Sequence, residues 1–384
     1  MSQPPQSAYS HHPSTARAYR CVCGAQVFFR NNACLQCGRA LGFDPWLGQV
    51  LAIEPEDGSG LWRPADAALA GPDRRYRRCA QLDSSAVCNW LVLDRPGLGA
   101  PDAPCSCAAC RLNRTIPDLG LDKNHEPWRQ VELARRRLVS QLIGLGLPVE
   151  PRSPDGSNGG LAFDTLASLP GQVPVMTGHT MGVVTLNLVE ADDAHRERIR
   201  SEMREPYRTL LGHYRHEVGH YYWDRLVRDD ACIADFRALF GDERADYGAA
   251  LSQHYREGAA VDWRERHISS YAGAHPWEDW AETWAHYLHM RDTLDTAVSF
   301  GLAPDRVDVD ARQYDQAVLQ GDLLWDAEGF IAMLNAWTRL TGVLNELSRS
   351  MGLPDFYPFV LSETVVRKLH FVHGRVRPFE RPSA

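Results

Sequence analysis

At 384 residues the chain is long enough for two or three domains with real cores, and 44% hydrophobic and 23% charged residues suit a globular protein. A net charge of −8 argues against general nucleic-acid affinity, and no stretch approaches the about eighteen apolar residues of a membrane span. Ten cysteines, most closely paired and without a secretion-type leader, point to a reduced, cytoplasmic setting and to zinc rather than disulfides.

Residues 1–17 read as a disordered tail rich in Ser and Pro, with no apolar run of a signal peptide or anchor. Cys21-Val-Cys23-Gly and Cys34-Leu-Gln-Cys37-Gly follow. Two thiolate pairs, each beside a glycine turn, are how a zinc ribbon closes a tetrahedral site. The segment between them, AQVFFRNNA, reads as a hairpin. A second set comprises Cys79, Cys88, Cys105, Cys107 and Cys110. Cys107 and Cys110 make a C-x-x-C, and Cys79 and Cys88 supply the other pair. Cys105 is then spare, or else pairs with Cys107 as C-x-C. These four form a candidate second structural zinc site. Cys232 fits no pattern and reads as a small apolar residue. Arg74, Arg75, Arg77 and Arg78 form a basic knot beside Cys79, and Arg367, Lys368, Arg375 and Arg377 a basic carboxyl end. Either reads as a solvated surface or as a contact for an acidic partner or nucleic acid.

A helix is expected over about 126–145 and a loop rich in Gly and Pro over 146–174. Residues 182–189, GVVTLNLV, alternate as a strand in their second half. The free edge of such a strand can pair with an extended peptide. Residues 206–227 place Leu210, Leu211, Tyr214, Val218, Tyr221, Tyr222 and Leu226 at helical spacing, with Pro206 suited to a first helical position. Inside this helix lies His216-Glu217-Val218-Gly219-His220, an H-E-x-x-H. Positions four apart share a face, so both imidazoles can reach one metal ion, while Glu217 can address a water on it.

A second helix, 276–290, opens on Pro276 and carries Glu278 and Glu282 one turn apart among Trp277, Trp280 and Trp284. A catalytic zinc held by two histidines needs a third protein ligand. One of these glutamates can supply it while the other receives the free N–H of a ligand histidine. Spacing alone does not separate them. Residues 326–350 carry an apolar stripe suited to packing.

H-E-x-x-H with a later E-x-x-x-E resembles the gluzincins, the class of thermolysin. The stretch SSYAGAHPWEDWAE is most similar to the lethal-factor-like branch, where a tyrosine stands seven residues before the third ligand, as Tyr271 stands before Glu278. The resemblance implies His216, His220 and Glu278 as zinc ligands, Glu217 as general base, Glu282 as a carboxylate behind the ligands and Tyr271 as donor to the oxyanion. Together with FFRNNACLQCGRALGFDP, CNWLV, CRLNRTIPDL and HEVGHYYWD, the chain resembles bacterial zinc-ribbon metallopeptidases from about Tyr19 onward.

The expected fold class is α+β: a mainly helical zincin-like metallopeptidase domain with a small edge sheet, preceded by an N-terminal β zinc ribbon. The boundaries are a tail at 1–17, the ribbon at 18–48, an irregular second cysteine-rich zinc-knuckle segment at 49–120 and the peptidase domain at 121–384. The expected activity is zinc-dependent hydrolysis of a peptide or protein substrate, with one catalytic and one or two structural Zn2+. The ribbon would recruit a protein partner or cover the cleft. The alternative is a non-catalytic, zinc-stabilised protein- or nucleic-acid-interaction module on a peptidase-like scaffold.

Overall fold

A computed structural model of the chain describes residues 13–71, 74–100, 103–168, 171, 173–202, 205, 207–307, 313–319 and 326–379. Residues 1–12 of the expected tail lie outside them, as does Pro206, but residues 13–17 are described and are not a free tail: Thr15 and Arg17 are buried, and Arg17 donates to Ser140 Oγ at 2.9 Å. The described residues form two compact units. One holds residues 14–202 and 208–214, and the other runs from residue 215 onward with Glu205 and Tyr207.

The amino-terminal unit is rich in strands. β1 (Tyr19–Arg20) and β2 (Gln26–Val27) pair antiparallel across Cys21 and Cys23. A bridge between Ala33 and Ala40 closes the turn holding Cys34 and Cys37 in the same way. The chain therefore turns back at each cysteine pair, and AQVFFRNNA is not the hairpin its sequence suggests. Phe29 leaves the strand path to pack edge-on to Phe43 at 4.7 Å, and Asn89 donates to the carbonyls of Phe29 and Asn31 at 2.9 and 2.8 Å.

β3 (Ala40–Asp44), β4 (Gln49–Pro55), β5 (Trp62–Pro64), β6 (Tyr76–Arg78) and β7 (Leu91–Leu93) make an antiparallel meander in chain order. The stretch 49–120 is thus not irregular. Leu51, Ile53, Tyr76 and Leu91 give this sheet its own apolar cluster. Val50, Leu51, Ala52 and Ile53 are all buried, so β4 shows a continuous apolar run instead of the alternation of a half-exposed strand.

β8 (Asn113–Thr115), β9 (Ala162–Leu166), β10 (Gly178–Thr180) and β11 (Val183–Asn187) form a mixed sheet in the order β10-β11-β9-β8. β9 falls inside the stretch expected to be loop. β11 is the strand expected near 182–189, but β10 and β9 pair with its two sides. Its backbone has no free edge for a peptide; the edges of this sheet are β10 and β8.

Helix α1 (His125–Gly144) follows its expected span closely, and α2 (Asp193–Glu202) is solvated. α1 buries Trp128, Val131, Leu138 and Leu142 together with an ion pair. Arg135 Nη2 lies 2.6 Å from Glu132 Oε2, both residues being fully buried, and Arg135 Nη1 donates to the carbonyl of Ala109 between two cysteines of the second set. Asn113 of β8 donates to the same glutamate at 3.3 Å.

α3 (Leu210–Leu226) leads into the helical unit, followed by α4 (Ile233–Phe240), α5 (Tyr247–Glu257), α6 (Trp263–Arg266), α7 (Pro276–Ser299), α8 (Ala327–Ser350) and α9 (Glu363–Val376). α7 is the central helix: Trp280, Trp284, Tyr287, Leu288, Met290 and Leu294 are all buried, so apolar residues line it on several sides. A strand-rich amino-terminal region thus precedes a mainly helical one, as expected for an α+β chain.

The two basic clusters are largely engaged within the protein. Arg77 is buried, pairs with Asp94 and donates to the carbonyls of Leu98, Gly99 and Ala100; Arg75 pairs with Glu56, and Arg78 lies over Trp62. At the carboxyl end Lys368 is buried against Asp279, Arg375 pairs with Asp230 and Arg377 with Asp326. No described helix is long and apolar enough to cross a membrane.

Removing one member of a buried ion pair strands the other's charge and costs about 3–5 kcal/mol, whereas replacing both by apolar groups is often near neutral. Arg135→Met is expected to lose stability in that range in urea unfolding; Arg136 shares Glu132 at 3.8 Å, so Glu132→Leu/Arg135→Met should recover only part of it. Equal losses in the two would show that the pair is not what holds α1 to the cysteine segment.

Candidate metal centres

His216 and His220 sit one turn apart on α3, their ring centroids 4.9 Å apart. α7 begins where it does because Pro276 occupies the first helical turn and the His275 side chain caps it, accepting from the Trp277 N–H at 3.1 Å. That start puts Glu278 in the first turn and Glu282 in the second. The two helices approach closely at Gly219. A Cβ there would lie 3.0 Å from Ala281 Cα and 3.2 Å from Trp284 Cδ1. The Trp280 indole N–H donates to the Gly219 carbonyl at 2.8 Å.

This crossing brings ligand atoms of His216, His220 and Glu278 within 4.8 Å of one another. His216 Nε2 is 3.0 Å from Glu278 Oε2, and His220 Nε2 is 3.6 Å from Glu278 Oε1. Glu282 stands on the opposite side of His216, its Oε1 2.7 Å from Nδ1. A proton on Nδ1 leaves the Nε2 lone pair facing Glu278 and His220. Ser269 donates to the other oxygen of Glu282 at 2.7 Å.

The charges suit a divalent cation. Burial disfavours charge on His216, yet the Glu278 and Glu282 carboxylates outweigh it and push the imidazole well above its usual range. Burial likewise favours the neutral acid of Glu278, but His220 and His216 hold it well below the ordinary carboxylate value. Glu278 Oε2 is buried 3.0 Å from His216 Nε2, close enough for both atoms to contact one cation. Two imidazoles and a carboxylate converging in this way form a donor set that fits zinc. Half-buried Glu217 has its pKa raised by burial, with His216 and His220 opposing.

Tyr271 stands beside His216, ring centroids 5.9 Å apart, and burial raises its hydroxyl pKa far above the ordinary phenol value, keeping it a neutral donor. Its loop is anchored at several points. His267 Nδ1 is 2.9 Å from Asp279 Oδ2, and Lys368 donates to both Asp279 and the carbonyl of Arg266. Tyr247 is the residue that sequence reasoning missed. From the start of α5 its hydroxyl donates to Glu278 Oε1 at 2.7 Å. No local pattern announces it, because contact with α7 exists only after folding.

The cysteines assemble into two further groups. Cys21, Cys23, Cys34 and Cys37 converge near the surface, with Sγ separations of 3.6 Å for Cys21–Cys37 and 3.7 Å for Cys23–Cys34. Burial pushes Cys21 up to about 12, while the Arg39 backbone N–H draws Cys37 down to about 6. Cys79, Cys88, Cys107 and Cys110 converge in the interior, all buried. Cys105 stays outside, its Sγ directed to the carbonyl of Arg78 at 3.9 Å, and Cys232 joins no described group. Four sulfurs at mutual van der Waals range suit tetrahedral zinc, and both groups fit it.

Comparison with known proteins bears on these centres. The family described as "Putative zinc-binding metallo-peptidase" matches residues 124–375. The chain belongs to this family. A family described as a zinc-ribbon domain matches residues 18–121, a stretch that includes both cysteine groups. An uncharacterized protein of Mycobacterium bovis and one of Mycobacterium tuberculosis are each 42% identical over 359 residues, covering 93% of this chain and 94% of the relative. No solved structure gives a significant match.

Alanine at Gly219 gains helix propensity of up to about 1 kcal/mol, so a net loss would isolate the packing of α3 on α7. Because the nearest atom is backbone, Gly219→Ala is expected to cost about 1–3 kcal/mol overall. Unchanged or increased stability in urea would mean that the helices can separate freely at this point.

Proposed function

We propose that the chain is a gluzincin-type zinc peptidase acting on a peptide or protein substrate, with residues 121–384 as its peptidase domain. The observation that carries this reading is the convergence of His216, His220 and Glu278, with Glu217 next to His216 on the same helix. When bound, zinc supplies Lewis acidity, which lowers the pKa of a water and polarises the scissile carbonyl. Glu217 takes the proton of the attacking water and passes it to the leaving amine. Tyr271 donates to the oxygen on which negative charge develops. Glu282, itself held by Ser269, fixes the tautomer of His216. The two thiolate groups are structural: a ribbon at 18–48 and a second knuckle of Cys79, Cys88, Cys107 and Cys110. Each would hold zinc in place of an extensive apolar core.

Glu217→Gln keeps the size of the side chain and removes the proton acceptor. Zinc content should match wild type while cleavage of a proteome-derived peptide library falls by at least about 100-fold. Equal cleavage by the two proteins would refute the base, and no cleavage by wild type would favour an interaction module.

The two glutamates of α7 should separate by metal affinity. Glu278→Ala is expected to lose the zinc at the histidine centre altogether, since two imidazoles remain. Glu282→Ala should weaken it only about 10- to 100-fold. The reverse order in zinc titrations would exchange their roles.

A further inference from the structure

Tyr247 is the least expected group at the centre. Its helix, α5, is capped by Asp246, whose side chain accepts from the Ala249 N–H at 2.9 Å. The ring lies edge-on to His275 at 5.3 Å and to Trp277 at 5.8 Å, residues just ahead of Glu278 in the chain. The hydroxyl is thereby aimed at one oxygen only. It donates to Glu278 Oε1, while Oε2 lies buried 3.0 Å from His216 Nε2. A carboxylate can bind a cation through one oxygen or both. A hydrogen bond draws electron density from the oxygen that accepts it and occupies one of its lone pairs.

We propose that Tyr247 is a positioning residue that holds Glu278 as a one-oxygen ligand, through Oε2, and so keeps a coordination position open for the reaction. This rests on the peptidase reading of the histidine centre. A zinc site with three protein ligands has catalytic use only if its fourth position stays available. A second glutamate oxygen would compete for that position. Tyr271 differs from Tyr247: among the described residues it makes no hydrogen bond to Glu278, and its ring faces His216.

The test replaces the metal of the full-length protein with Co2+ and reads the visible absorption of the nitrogen- and oxygen-ligated ion, which is distinct from that of thiolate-bound Co2+. Zinc retention is measured in parallel by chelator competition. Tyr247→Phe keeps the ring and its packing, and the residue is partly exposed, so folding should survive. It should weaken zinc at the histidine centre by about 10- to 100-fold and shift the Co2+ bands towards a higher coordination number. Tyr255→Phe, on the exposed part of the same helix, should leave bands and affinity as in wild type. Unchanged bands in Tyr247→Phe, with or without weaker zinc, would overturn the proposal. A wild-type protein that takes up metal only at its thiolate groups would instead refute the peptidase reading, and this proposal with it.

Discussion

The candidate centre depends on how closely α3 and α7 cross at Gly219. Two donors lie on one helix and the third on another, so the donor set exists only at one separation of two backbones. A hydrogen at Gly219 in place of a methyl, and an indole donating to its carbonyl, set that separation. The aromatic packing around the crossing keeps it rigid. Tyr222 stacks on Trp284 at 4.9 Å, and Phe236, Phe240 and Phe371 surround Trp280. Large planar side chains with few rotamers hold such an angle better than flexible ones.

The amino-terminal unit meets a different constraint. The strands around its outer cysteine group are only two residues long, which is the situation in which metal ligation supplies what a core cannot. The cysteine groups stand where strands turn back or where α1 is anchored. Arg135 reaches the carbonyl of Ala109 between Cys107 and Cys110, so the inner thiolate group and the first long helix share one support.

Much of this was legible in the chain, for identifiable reasons. α3, α7 and α8 announce themselves by helical spacing of large apolar residues, α7 also by its opening proline. Cysteine spacing revealed both thiolate groups, and His216, Glu217 and His220 stand in one short motif. β4 was not legible because burial on both faces removes alternation, and β9 because glycines precede it. Tyr247, Ser269 and Lys368 carry no signal, since each acquires meaning from a partner distant in the chain. The basic ends invited a surface reading for the same reason: the acids that neutralise Arg77, Lys368 and Arg377 are remote in sequence.

The start of α7 concentrates three carboxylates, Glu278, Asp279 and Glu282, in little more than one helical turn. Their partners come from several parts of the chain: Glu278 faces His216 and His220 of α3, Asp279 meets His267 and Lys368 of α9, and Glu282 meets His216 and Ser269. Helix polarity at an N-terminus tolerates such crowding but does not by itself neutralise it. The surroundings of all three carboxylates are therefore complete only when α3, the 266–275 loop and α9 have docked. Docking of α9 and the shape of the histidine centre are thereby linked through adjacent residues of one helix, since Lys368 holds Asp279, the neighbour of Glu278.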